Sequence, residues 1–95
     1  MLGYVILNDI ENLPSDYSEQ LHKIIGQNVK NIRKVKNISQ LKLAYALGYK
    51  SVSPISGAEI YYNKIHFKIE HLTKIAYLLD VDICDFFEGT DKIIK

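Results

Sequence analysis

The segment Ile38-Ser39-Gln40-Leu41-Lys42-Leu43-Ala44-Tyr45-Ala46-Leu47-Gly48 constrains the chain more than any other, because it carries signals for both ends of a short helix. Ser39 offers a side-chain oxygen to the unpaired N–H groups of a first turn. Leu43, Ala44 and Leu47 fall on one face at helical spacing. Gly48 can take the positive φ that closes the helix. A second helix start follows at once in Ser51-Val52-Ser53-Pro54. Pro54 belongs in a first turn, since deeper in a helix it would cost ~3 kcal/mol. Two short helices joined by a tight turn are therefore expected.

Other elements flank this pair. Asp16 with Glu19 three residues on forms a capping-box-like start, after which Leu21, Ile25, Val29 and Ile32 recur at helical spacing to about Lys36. Asn37 is placed to take a left-handed cap. Beyond the pair, a polar loop with Asn63 and Lys64 precedes a helix whose apolar stripe is Ile69, Leu72, Ile75, Ala76 and Leu79. Asp82 then opens a last short helix that sends Ile83, Phe86 and Phe87 inward, and Gly89 ends it. Ahead of everything lies the β-prone patch Tyr4-Val5-Ile6-Leu7, a short strand or an extended arm that must pair or pack. The expectation is a mainly α chain of five helices: residues 1–15 an arm or strand, 16–89 one domain, and 90–95 a charged tail. At 95 residues, roughly 60% of the chain's surface can be buried, so the core is modest.

Charge is unevenly placed. The formal net charge is only +1, yet residues 1–20 carry Asp9, Glu11, Asp16 and Glu19 with no Lys or Arg. Residues 21–79 carry ten Lys or Arg against Glu59 and Glu70, a balance of +8, and residues 80–95 return five acids against two lysines, a balance of −3. Basic charge confined to the segment holding the helix pair is the footprint of a polyanion binder.

Several classes drop away. The one cysteine, Cys84, forms no internal disulfide, and the first twenty residues lack the basic start of a secretory signal, so a cytoplasmic location is expected. No apolar run approaches the ~20 residues that span a bilayer, and no membrane partner is expected. His22, His66, His71 and Cys84 have none of the close spacings of metal ligands, and there is no glycine-rich phosphate loop. No metal, cofactor or catalytic role is expected. His66 and His71 are placed at a loop and a helix surface, and Cys84 is read as a small buried hydrophobe.

The run Asn28-Val29-Lys30-Asn31-Ile32-Arg33, then Ile38-Ser39-Gln40-x-x-Leu43-Ala44-x-x-Leu47-Gly48, Ile55-Ser56-x-x-Glu59 and Leu72-x-x-Ile75-Ala76-x-x-Leu79, resembles the Cro/repressor (XRE-type) helix-turn-helix family over roughly residues 24–87. The chain departs from the family in a longer turn after Gly48 and a longer loop before the fourth helix. The resemblance implies a five-helix repressor-like domain and a DNA-binding transcriptional regulator, a repressor that acts as a homodimer on duplex DNA. It also implies that Glu59 pairs with Arg33 of the first helix, and that Gln40 contacts a phosphate.

The residues themselves suit such contacts. A helix start presents free N–H groups and partial positive charge, which places Ser39, Gln40 and Lys42 at a phosphate. Asn28, Lys30, Lys50, Asn63, Lys64 and Lys68 are further phosphate candidates on the same face or its bordering loops. Two registers compete for the third helix. In one, Ser51 is the N-cap and Ile55 and Ala58 are core; in the other, Ser53 is the N-cap and Ile60 is buried. The first agrees with the family's Ile-Ser-x-x-Glu and is preferred. It presents Val52, Ser53, Ser56 and Gly57 to bases, with Pro54 beside thymine methyls. That set has no Arg, Asn or Gln for a two-pronged contact, so specificity is expected to draw on DNA shape and dimer spacing. Leu41, Tyr45, Tyr61 and Tyr62 remain outside the core and suggest an interface, with the arm as a possible shared edge. Two alternatives stand beside the repressor: an antitoxin-like protein-interaction module with autoregulatory DNA binding, and a nucleoid-type binder of low sequence preference.

Overall fold

In a computed structural model, residues 6–93 are described, and these are mainly helical. Four α-helices follow in order: α1 Tyr17–Val35, α2 Gln40–Ala46, α3 Ser53–Ile60 and α4 Ile69–Leu79. Short 3-10 turns stand at Ile10–Asn12, Tyr62–Lys64, Ile83–Phe87 and Thr90–Lys92.

Three of the helices stop in the same way. At the end of α1, Asn37 takes φ 60°, its N–H donates to Lys34 O, and the Ile38 N–H donates to Arg33 O. At the end of α2, Gly48 takes φ 92°, donates to Tyr45 O, and is followed by Tyr49 N–H to Ala44 O. Asp80 and Val81 repeat the arrangement after α4. This paired bonding by a left-handed residue satisfies carbonyls that the helix itself leaves unpaired. It also turns the chain sharply, which is why α1, α2 and α3 lie close together although only a few residues join them.

The core forms where the apolar faces meet. Ile25 and Val29 of α1, Leu43 and Ala44 of α2, Ile55 and Ala58 of α3, and Leu72, Ile75, Ala76 and Leu79 of α4 are buried with Phe67 and Phe86. Phe86 is fully enclosed and brings the Ile83–Phe87 segment onto α1. Asn28 secures it there, donating from its amide to Phe86 O and Glu88 O, each at 2.9 Å. The α1–α3 crossing is tight at Gly26. A Cβ added there would stand 2.5 Å from Ala58 O and 2.8 Å from Glu59 O, so the two backbones meet with no room for a side chain.

Several expectations are corrected. Asp16 flanks α1 but makes no side-chain cap, because its backbone (φ −101°, ψ 17°) lacks the extended conformation that aims a carboxylate at the first turn. The residue preceding α3 is Val52, in helical conformation and without a side-chain cap, rather than Ser51. The face of α3 nevertheless follows the first register, with Ile55 and Ala58 buried and Ile60 exposed. Ile69 belongs to the first turn of α4 and is 59% exposed, outside the stripe. The fifth helix is a 3-10 segment whose start is capped by Asp82, accepting from Cys84 N–H. Cys84 is exposed, not buried. Part of the expected tail, Thr90–Lys92, forms a 3-10 turn. Among the described residues there is no strand: Ile6–Asp9 is irregular, while Tyr4 and Val5 lie outside the described residues.

Candidate nucleic-acid interface

The start of α2 is held by a buried polar cluster. Arg33 Nε donates to Glu59 Oε2 at 2.8 Å, and Nη2 donates to Glu59 Oε1 at 3.1 Å. Its Nη1 donates to the carbonyl of Ile38 at 2.8 Å, just ahead of α2. Gln40 Nε2 donates to the same Glu59 Oε1 at 2.9 Å. Arg33 is 5% exposed and Glu59 1%, so the pair is enclosed and doubly hydrogen bonded, the geometry that makes a buried charge tolerable. One carboxylate thus ties α1, the entry to α2 and α3 into a fixed arrangement.

Around this cluster the candidate phosphate contacts divide. Ser39 caps α2, its Oγ accepting from Lys42 N–H at 3.0 Å. Gln40 spends one amide hydrogen on Glu59 and has a second available, so any phosphate contact it makes is made from a side chain already fixed by the protein. Lys42, Lys50, Asn63, Lys64 and Lys68 are exposed, and Lys30 is half-buried on α1, one turn from Gly26 and from Arg33. Among the described residues, only Lys23 and Arg33 have a carboxylate within 4.0 Å, from Glu19 and Glu59. The lysines of this set are therefore unneutralised. Asn28 is not part of it. Both of its amide hydrogens go to the C-terminal segment, beside Asp85 and Glu88, and it stands two residues from Lys30, nearly opposite on the helix.

The candidate base contacts also divide. Ser53 is exposed, and Ser56 is half-buried with its hydroxyl only at the limit of a bond to Ser53 O, 3.4 Å. Val52 is half-buried. Gly57 is buried, with Ile65 Cδ1 3.1 Å from where its Cβ would be, so it offers nothing to a ligand. Pro54 is half-buried and borders a small cleft of about 80 Å³ with Tyr49, Ile65 and Phe67. The outward chemistry of the α3 start is thus two hydroxyls with parts of a valine and a proline.

The loop from α3 to α4 holds features that local patterns do not announce. Tyr61, Asn63 and Lys64 all adopt left-handed backbone, with φ of 59°, 50° and 64°. For residues other than glycine this costs on the order of 1 kcal/mol each, and only Asn63 is a type that adopts it readily. Tyr61 then stacks on His22 of α1 at 5.8 Å between centroids, and His22 stacks on His66 at 3.8 Å. The His66 Nδ1 donates to Lys64 O at 2.8 Å, since the carbonyl can only accept. His22 Nδ1 is buried without a partner, and burial, with the His66 ring beside it, holds the His22 pKa below its ordinary value. Leu41, Tyr45 and Tyr62 are exposed.

Comparison of the chain with protein-family models, with curated proteins and with solved structures returns no match. No helix among the described residues is long and apolar enough to cross a membrane.

Proposed function

We propose that the chain is a DNA-binding transcriptional regulator, a repressor of the helix-turn-helix class, that acts by binding rather than catalysis. In this reading α2, Gly48 and α3 form the motif, α3 enters the major groove, and the start of α2 rests on a phosphate. The observation that carries it is the buried Arg33–Glu59–Gln40 cluster. It holds the first turn of α2 against α3 while Lys42, Lys50, Lys64 and Lys68 stay unneutralised. A docking unit for a duplex needs that combination, because rigid spacing fits the groove and free cations replace the counterions of the phosphates. The resemblance to the XRE-type family and the +8 balance of residues 21–79 lend the same support.

A second reading, a nucleoid-type binder with little sequence preference, is favoured by the sparse start of α3. Ser53 and Ser56 can bond to any base, and Gly57 is enclosed. One experiment separates the readings. The purified chain is mixed with random duplexes at two salt concentrations, and the retained DNA is sequenced. A regulator enriches a motif, with palindromic half-sites if two copies bind together. Salt-sensitive retention without a motif selects the nucleoid-type reading. No retention at either salt defeats DNA binding and turns attention to a protein partner of the antitoxin kind.

A further inference from the structure

The residues ahead of α1 are apolar and uncovered. Ile6, Leu7 and Ile10 are 90%, 83% and 76% exposed, Leu13 is also exposed, and the 3-10 turn Ile10–Asn12 buries nothing. Aliphatic side chains held in water contribute nothing to the fold of a single copy, and a run of them marks a surface that is covered by something else. The arm is ordered in outline: Asp9 Oδ1 accepts from Glu11 N–H, and Leu13 N–H donates to Ile10 O. Its exit is set as well. Leu13 is extended, and the Tyr17 N–H donates to Pro14 O, closing a turn at the foot of α1.

A groove of matching character lies elsewhere on the molecule. It runs between the starts of α1 and α4, has a volume of about 400 Å³, and is floored by the buried Ile25, Phe67 and Leu72, with the exposed Ile69 at its edge. That volume is within the range of about 300–1,000 Å³ that suits specific ligands. Lys68 and His66 also line it, and no carboxylate does. No residue of the arm lines it either. The arm offers four aliphatic side chains with Asp9 and Glu11 and no cation, so the two surfaces are complementary in polarity and in charge.

We propose that this groove receives the arm of a second copy of the chain, residues Ile6 to Leu13, the two arms being exchanged across a twofold axis. Each copy supplies one arm and one groove, which closes the assembly at two and leaves neither arm uncovered. On their own copy the arm's aliphatic side chains stay exposed and none of them lines the groove, so a second copy is the occupant that leaves the turn at Pro14 and the start of α1 as they stand. The assembly forms without DNA, so the proposal stands apart from the DNA-binding reading except at Lys68, which it assigns to the arm's carboxylates rather than to a phosphate.

The test is analytical ultracentrifugation of the full chain without DNA, from low to high micromolar concentration. The expected result is a monomer–dimer equilibrium whose dissociation constant rises roughly tenfold or more in Leu7→Asp, in Ile10→Asp and in Ile69→Glu. All three positions are exposed, so helical content by circular dichroism should match the unaltered chain, and the agreement of arm and groove variants guards against an effect peculiar to one of them. A chain that stays monomeric across the range overturns the proposal, as docking of the arm on its own copy or on another partner would require. A dimer indifferent to the arm or to the groove substitutions overturns it as well.

Discussion

Arg33 and Glu59 show how much a single contact can decide. Each alone would be an unpaired charge at 5% and 1% exposure, and the carboxylate has just enough donors in Arg33 and Gln40 to be satisfied. Arg33→Ala should lower stability by ~3–5 kcal/mol, because it leaves Glu59 buried without its cation. In a domain of this size that is a fall in melting temperature of more than ~10 °C. Lys23→Ala is the control, since its ion pair with Glu19 spans 4.0 Å at the surface and is worth ~0.5 kcal/mol or less. Thermal denaturation followed by circular dichroism distinguishes the two. His22 makes a different demand. Its folded-state pKa is lowered, so the neutral ring is favoured by folding; the associated stability is present above the unfolded value near 6.5 and is lost as pH falls through the folded value. Melting temperature should therefore drop on acidification from neutral pH toward pH 5, and His22→Phe, which keeps a ring against His66 and Tyr61 but cannot titrate, should make that drop shallower.

At the level of elements, what could be read from sequence was what is decided locally. Ser39, Asn37 and Gly48 act through bonds within a few residues, and they occupy the cap and left-handed positions that their chemistry suits. The apolar faces of α2 and α3 were legible for the same reason. The cap at Asp16, the cap at Ser51 and the burial of Ile69 and Cys84 were not, since each depends on how the chain enters or leaves an element in space. Gly57 was misread as a reader of bases because only the folded loop reveals that Ile65 covers it. The His22–His66–Tyr61 stack joins residues far apart in sequence and left no local trace. Gly26 left one, a helix-weakening residue in the middle of α1, and the cause is the α3 backbone beside it. Gly26→Ala should thus destabilise by ~1–3 kcal/mol or more, although alanine is the better helix former, because Ala58 O and Glu59 O cannot withdraw without moving α3. Chemical denaturation at fixed pH measures it.

Taken as a whole, the chain separates a basic middle from acidic ends, and the proposed binding to duplex DNA should carry that signature. Lys42→Ala with Lys64→Gly should weaken association with every duplex and reduce the slope of log affinity against log salt by about 2, one unit for each lost phosphate contact. Lys64→Gly also relieves a left-handed backbone, so its stability should be unchanged or slightly raised. A loss of affinity then reports on charge and not on unfolding; an unaltered slope, read from titrations at several salt concentrations, would remove both lysines from the contact. The two hydrogen bonds of Asn28 add a mechanical consequence. They fasten the acidic Asp85–Glu88 stretch to the side of α1 opposite Lys30, so the protein has an electrical polarity fixed to its frame. In the field of a nearby polyanion such a body experiences a torque, which turns the Lys30 side of α1 forward and the Asp85–Glu88 side away before any atom of the two partners has touched.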